Sequence, residues 1–404
     1  NVSVKEVIFD VATDPLVLFN HPDNIPRIEY DAAGAVKGLL IEEARTNLLT
    51  YSEDFSNAAW NIQSTSIESP VANSATAPDG SFTANTLQEL SSGSEGPRIY
   101  PSYRTVTANQ QITYSAFMKK GTANYGYLCA RHSAGNVAGA EFDLNAGTVD
   151  STINAGNYTL NASSITDVGD GWYLCSIVAT CTASTATGFY FMGIGNGTGV
   201  SSAGYPIYTL SGKTTYAWGA QLEVGGFGSS YIPTTAGATA TRAADLASIP
   251  TSAFGYNAEG GTVVVDFNMS FGGTNYPRAW ELGSTIDSND RINVFGYAPT
   301  AIIGTGLFTA GVGQGGTTLS TGNTVPTGQI KAAFAWREND LATVQDGGTV
   351  QTDSVATITG GNPRTQLALG KPASSSSGSY LNGHIKSIQY YPRRLSNAQL
   401  QELT

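Results

Sequence analysis

The sequence predicts an all-β protein: two antiparallel β-sandwich (jelly-roll) domains in tandem, preceded by a small N-terminal hairpin segment. Three observations carry this expectation. Charged residues make up only 13% of the 404, against 41% hydrophobic and 47 glycines. Such a chain suits strands and tight turns rather than disorder or a Glu/Lys/Leu-rich helical body. Short runs with period-two alternation recur between turn residues. Between residues 47 and 236 no helical period reaches ten residues.

Residues 1–46 form the N-terminal segment. Val7-Ile8-Phe9 is a short apolar run, and Asn20-His21-Pro22-Asp23-Asn24 is a turn. Arg27-Ile28-Glu29-Tyr30 and Gly38-Leu39-Leu40-Ile41-Glu42 read as two strands around the turn Asp31-Ala32-Ala33-Gly34. The pair is too small to bury its own core, so it is expected to pack on the next domain or a neighbouring subunit. Residues 47–236 hold at least eight strand candidates, among them Gln111–Met118, Tyr125–Ala130, Trp172–Ala179 and Gly188–Ile194. Ser52–Trp60 can form one helical turn capped by Ser52 or Asp54. The last strand alternates through Tyr216, Trp218, Ala220, Leu222 and Val224 until Gly225-Gly226 and Pro233 end it. A linker is expected over 237–250, where periodicity is lost.

Residues 251–404 repeat the style. Strands are expected at Gly261–Met269, Arg291–Tyr297, Lys331–Trp336 and Leu341–Val344, with Asp346-Gly347-Gly348 as a hairpin turn before Thr349-Val350-Gln351. Ser374–Ser379 reads as a flexible loop. The strongest helix signal is the end, where Ser396 caps Asn397–Leu403.

The net charge of −11 argues against a duplex nucleic-acid binder and against docking on anionic lipid. No run of 18 apolar residues offers a membrane span. Asn1-Val2-Ser3-Val4-Lys5 lacks the order of a secretory signal, and a start without Met suggests processing. Cys129, Cys175 and Cys181 read as buried free thiols, and His21, His132 and His384 are too scattered for a zinc set.

Several stretches together resemble a tail or fibre module of tailed bacteriophages and prophages: Pro26–Tyr30, Gly38–Leu49, Asp54–Trp60, Ala77–Gly80, Tyr114–Lys119, Gly169–Tyr173 and Trp218–Asp245. The resemblance implies a jelly roll similar to carbohydrate-binding modules. Leu381–Ser396, with Gly383, Ile385, Ile388, Tyr391, Arg393, Leu395 and Ser396 in order, resembles the closing strand of concanavalin-A-like, laminin-G-type sandwiches. Together they imply a virion protein: a tail fibre, tail tip or head-surface fibre. Its partners would be host cell-surface polysaccharide and other virion proteins, and its expected state is a homotrimer on the particle surface. The alternative is a polysaccharide-active enzyme or its accessory binding modules.

Neither resemblance supplies catalytic residues. The glucanase branch of the concanavalin-like fold carries Glu-x-Asp-x-x-Glu, which this chain lacks. Glu42 and Glu43 are neighbours on an expected strand, so they point to opposite faces and cannot act as a pair. No nucleophile elbow is visible. The expected role is therefore non-enzymatic.

Pyranose C–H faces stack on Trp and Tyr, so Trp60, Tyr100, Tyr103, Tyr125 and Tyr127 are candidate platforms in the first sandwich, and Tyr276 and Trp280 in the second. Trp172, Trp218 and Trp336 lie within alternating strands and read as core. Arg98-Ile99-Tyr100-Pro101-Ser102-Tyr103-Arg104 stands out as a loop that mixes rings with guanidinium donors, as a glycan site would. A structural Ca²⁺ would draw on Asp54, Asp79 and the Asp167–Asp170 turn, for which turn chemistry is the competing reading.

Overall fold

A computed structural model describes residues 25–31, 34–133, 135–270, 276–286, 288–297, 302–324, 328–358, 362–374 and 379–404. Val7–Phe9, the Asn20–Asn24 turn and residues 375–378 of the serine loop lie outside them. The described residues are all-β apart from a 3₁₀ turn at Thr251–Ala253 and the closing helix Asn397–Leu403. The chain divides into two compact units, each an antiparallel sandwich. Ser52–Trp60 is a run of turns, not a helix.

In the first unit a seven-stranded sheet runs in the order Thr148–Ala155, Asn136–Asp143, Tyr125–Ser133, Thr185–Gly195, Arg98–Pro101, Trp60–Ile62, with Arg104–Val106 also on Thr185–Gly195. A six-stranded sheet runs Tyr158–Gly169, Trp172–Cys181, Gln111–Lys120, Thr214–Val224, Ala84–Gln88, Val71–Ala75. Alternation along each strand decides what lies between the sheets. Tyr114, Ala116 and Met118 from one sheet meet Leu128, Ala130, Met192 and Ile194 from the other. Several strands are apolar on both faces. Phe117, Trp172 and Trp218 form a separate cluster on the outside of the six-stranded sheet. Tyr127, Cys129, Val137 and Phe191 do so on the outside of the seven-stranded one.

The second unit pairs a seven-stranded sheet with a six-stranded one. The first has the order Ile28–Tyr30, Val36–Ile41, Gly383–Tyr391, Gly260–Phe267, Ile330–Arg337, Asp340–Gln345, Gln351–Asp353. The second has the order Ala247–Pro250, Gln366–Leu369, Arg278–Gly283, Arg291–Tyr297, Ile302–Thr309, Val312–Thr324. Trp280, Val294, Phe334 and Trp336 fill the space between them. The closing helix lays Leu400 on Val264, Ala333 and Val344, so the outer face of the seven-stranded sheet is covered too. Ser396 caps that helix with a full capping box to Gln399. Among the described residues, no helix is long and apolar enough to cross a membrane.

Two boundaries differ from the sequence reading. The N-terminal hairpin is not a separate segment: Leu39 and Leu40 pair with Ile385 and His384, and Ile41 enters the second unit's core. A two-stranded ribbon cannot bury its apolar face alone, and the edge of a larger sheet supplies that burial. Glu42, just past the strand's end, is buried and accepts from Arg27 at 2.9 Å, while Arg27 also reaches Asp245. The 237–250 stretch carries two short strands. Ala240–Arg242 pairs with Arg45–Asn47 in the first unit, and Ala247–Pro250 with Gln366–Leu369 in the second. Alternation reports a buried face, not which strand lies beside it, so neither pairing was visible in the pattern.

Ile41 is 1% exposed. Ile41→Ala should therefore lower the second unit's unfolding free energy by about 3 kcal/mol in chemical denaturation. Unchanged stability would show that the N-terminal strand is not part of that core.

Candidate functional site

The candidate site is the outer face of the first unit's seven-stranded sheet. On Arg98–Pro101, Ile99 points into the core, which turns Arg98 and Tyr100 outward. On Thr185–Gly195, Tyr190 and Met192 point in, so Phe189 and Phe191 point out. The same alternation on Tyr125–Ser133 sets Tyr127, Cys129 and Arg131 outward. Register then makes neighbours of these side chains. Met192 faces Ile99, and Cys129 and Arg131 face Phe191 and Phe189.

The rings pack edge to face. Tyr100 lies 5.9 Å from Phe189 and 5.2 Å from Phe191, and Tyr103 lies 6.2 Å from Phe189. Aromatic pairs favour this geometry, with one ring's edge toward the other's negative face. Tyr103 is 62% exposed, and Tyr100 and Phe189 are half-buried. The Arg98 guanidinium lies 3.8 Å from the centroid of Tyr205 and donates to the Gly96 carbonyl at 2.9 Å. The Arg131 guanidinium lies 5.6 Å from that of Phe191. These are cation–π distances. The face thus offers rings held rigidly by one another, with cations at their margin.

The segment after Thr185–Gly195 is held against this face by a buried carboxylate. Glu141 accepts backbone N–H groups from Asn196 at 2.7 Å, Gly197 at 3.0 Å and Gly199 at 2.5 Å. Burial pushes its carboxyl above the usual range, and the three N–H bonds pull it back in part. Gly195 is a steric requirement here, because a Cβ would lie 2.1 Å from Glu141 Oε1. Farther along, Ser201 donates to the Tyr205 carbonyl at 2.7 Å, and the Tyr205 ring covers Arg98.

The structure brings together some of the residues singled out in the sequence and separates others. Arg98, Tyr100 and Tyr103 share the face, but Arg98 is buried, with its guanidinium already engaged. The stretch expected as a loop is two short strands, Arg98–Pro101 and Arg104–Val106, joined by a tight corner. Arg104 leaves the face and donates to the Leu48 carbonyl at 2.9 Å. Trp60 is no platform: it is 3% exposed, donates to the Tyr51 carbonyl at 3.0 Å and packs edge-on to Phe55. Tyr127 and Trp280 are likewise buried. Tyr125 lies on the same outer face but in acidic surroundings, where Asp143 first, then burial, Asp150 and Glu141 push its phenol up. Asp54 and Asp79 close local turns, each accepting from the N–H and hydroxyl of the residue two ahead, Ser56 and Ser81. Among the described residues, no group of three His, Cys, Asp or Glu could hold a metal. All three cysteines are free and buried.

Phe189, Arg131, Tyr205 and Glu141 were missed by the sequence reading. A signal existed for one of them. Gly188–Ile194 is aromatic on both faces, and only one face can point at the core. Glu141 gave no such sign, because a carboxylate in a strand reads as solvated until its loop partners are known.

No family model matches the chain, and no curated protein matches it. Among solved structures, the Ruminococcus gnavus IT-sialidase CBM40 bound to α2,6-sialyllactose is 15% identical, with a TM-score of 0.31, covering 37% of this chain and 84% of that one. Domains LG4–5 of the mouse laminin α1 chain are 9% identical, with a TM-score of 0.25, covering 94% and 96%. The Trypanosoma rangeli sialidase in complex with sialic acid is 10% identical, with a TM-score of 0.30, covering 79% and 60%.

Glu141→Ala should remove the acceptor for three buried N–H groups. The expected cost is about 3 kcal/mol, with faster amide hydrogen exchange at Asn196, Gly197 and Gly199. Exchange rates equal to those of the parent would disprove the tether.

Proposed function

We propose that the chain is a non-enzymatic glycan-binding protein displayed on a virion, as a tail fibre, tail tip or head-surface fibre. The observation that carries the binding role is the face built by Tyr103, Tyr100 and Phe189, in which the exposed Tyr103 ring meets half-buried Phe189, itself backed by Tyr100. A braced ring loses little freedom when a sugar stacks on it, so more of the stacking energy appears as affinity. The virion assignment rests on the phage-module resemblance of residues 26–245. One shallow site of this kind binds weakly, and trimeric display would raise its avidity. Acidic composition keeps the chain off anionic polymers at long range, so recognition falls to local contacts.

The second reading is a polysaccharide-active enzyme, and one observation favours it. Burial pushes the Glu53 carboxyl up, the Tyr231 hydroxyl at 3.0 Å opposes this, and Asp79 adds to it. A glycosidase needs two carboxylates, one of them with raised proton affinity. Release of reducing ends from host polysaccharide, lost in Glu53→Gln, would establish this reading and overturn the first.

The direct test is Tyr103→Ala in a host-surface binding assay. Tyr103 is largely exposed, so the melting temperature should stay within a degree or so, while binding weakens by about tenfold, or ~1.4 kcal/mol. Binding equal to the parent's would remove this face from the account.

A further inference from the structure

A second aromatic face lies on the outside of the second unit's six-stranded sheet. Along Arg291–Tyr297, Ile292 and Val294 enter the core, so Arg291, Asn293, Phe295 and Tyr297 share the outer face. Across from them on neighbouring strands stand Phe308 beside Arg291, Gly306 beside Asn293, and Arg278 beside Phe295. Tyr276 stacks on Tyr297, with ring centroids 5.3 Å apart and planes at 18°, and keeps 44% of its surface exposed. Phe295 meets Tyr276 edge-on at 5.8 Å. The chain therefore presents a half-exposed ring whose back is already stacked on a second ring.

Cations line the rest of the strip. The Arg278 guanidinium lies 5.0 Å from the Phe295 centroid; that of Arg291 lies 3.6 Å from the Phe308 centroid and also donates through Nη1 to the Ser288 carbonyl, but unlike Arg98 the side chain is only half-buried. One carboxylate lies beside them. That carboxylate is Glu281, and its oxygens are engaged. Oε2 accepts from Arg278 at 3.1 Å and from Asn293 at 3.0 Å, and Oε1 accepts from the Ala373 N–H at 3.0 Å. Two guanidiniums, Arg278 and Arg291, thus lie on a strip whose carboxylate is already engaged, on a strongly acidic chain. Asn293 is 1% exposed, and its Oδ1 has no donor among the described residues. Gly306 beside it is bare, and a Cβ there would meet that oxygen at 2.8 Å and Phe308 at 3.1 Å.

We propose that this face binds an acidic oligosaccharide, with Tyr276 stacking on a sugar ring and Arg291 pairing with a sugar carboxylate. The guanidinium fork matches a carboxylate in two-point geometry, which a neutral sugar cannot return. The Tyr276–Tyr297 stack supplies a flat apolar surface at the other end of the same strand. The site goes beyond the first unit's aromatic face and shares no residue with it.

The test uses the full chain with hexagalacturonate as the acidic probe and maltohexaose as the neutral one, followed by calorimetry. Hexagalacturonate should bind at least about tenfold more tightly than maltohexaose. Tyr276→Ala and Arg291→Gln should each weaken that binding by about tenfold, and Tyr276→Phe by less than about threefold, since the ring remains. Should Tyr276→Ala not fold, Tyr276→Phe and Arg291→Gln decide. Absent binding of hexagalacturonate, equal binding of maltohexaose, or unchanged affinity in Arg291→Gln would each overturn the proposal. The same titrations in a Tyr103→Ala background separate the two faces. Acidic-sugar binding that survives Tyr103→Ala and falls with Tyr276→Ala supports this site whatever becomes of the first. Binding lost in Tyr103→Ala alone and untouched by Tyr276→Ala overturns this site and leaves the first standing.

Discussion

The first sandwich depends on Asn47. Its side chain is fully buried and uses its whole hydrogen-bonding capacity, with three of its four bonds going to the segment that ends the unit. Nδ2 donates to the Ala220 and Ile232 carbonyls at 3.1 and 2.9 Å, and Oδ1 accepts from Leu222 and Leu49 N–H groups at 3.2 and 3.1 Å. One residue thereby ties the start of the unit to its last long strand and to the exit stretch beyond. A sandwich leaves many loop N–H and C=O groups without ladder partners, and burying them unpaired is costly. Asn47 meets that requirement where two ends of the unit converge.

The same device recurs with carboxylates. Glu89 accepts from Ser211 at 2.8 Å, from Lys213 at 3.2 Å and from the Tyr208 hydroxyl at 2.7 Å. Glu223 accepts the Ser229 N–H at 3.0 Å, and Glu141 holds the 196–199 segment. In a chain with so few charges, several acidic side chains are thus spent inside, each fixing a loop rather than solvating a surface. This links fold to function, because the Glu141-held segment leads to the Tyr205 ring that covers Arg98 beneath the aromatic face.

How much of this was legible depends on what alternation can report. It reports burial, so Gln111–Met118, Trp172–Ala179 and Arg291–Tyr297 were visible as strands. Local chemistry was visible too, as in the Ser396 capping box. Thr148–Ala155 and most of Tyr158–Gly169 escaped: the first has only the thin stripe Val149, Ile153 and Ala155, interrupted by Ser151, and in the second irregular register between Leu160 and Ala162 and between Asp167 and Gly169 breaks the period. Partners escaped as well: nothing in Val36–Ile41 says that Gly383–Tyr391 lies beside it. The Arg98–Tyr103 stretch attracted attention for its composition, yet composition does not tell an exposed ring from a buried guanidinium. Tyr103 faces solvent, whereas Arg98 is used up beneath Tyr205. The rings that complete the face, Phe189 and Phe191, lie some ninety residues away in the chain and became neighbours only through sheet register.

The account's central claim is that sugars stack on the rings of the first sandwich's outer face. Crystals of the chain soaked with host-surface oligosaccharide test it most directly. The account predicts a sugar ring lying against Tyr103, in contact with Phe189 or Tyr100, and side-chain positions there that match the unliganded protein. A sugar held in the first unit only elsewhere, for instance beside Glu53 and Asp79, would contradict it.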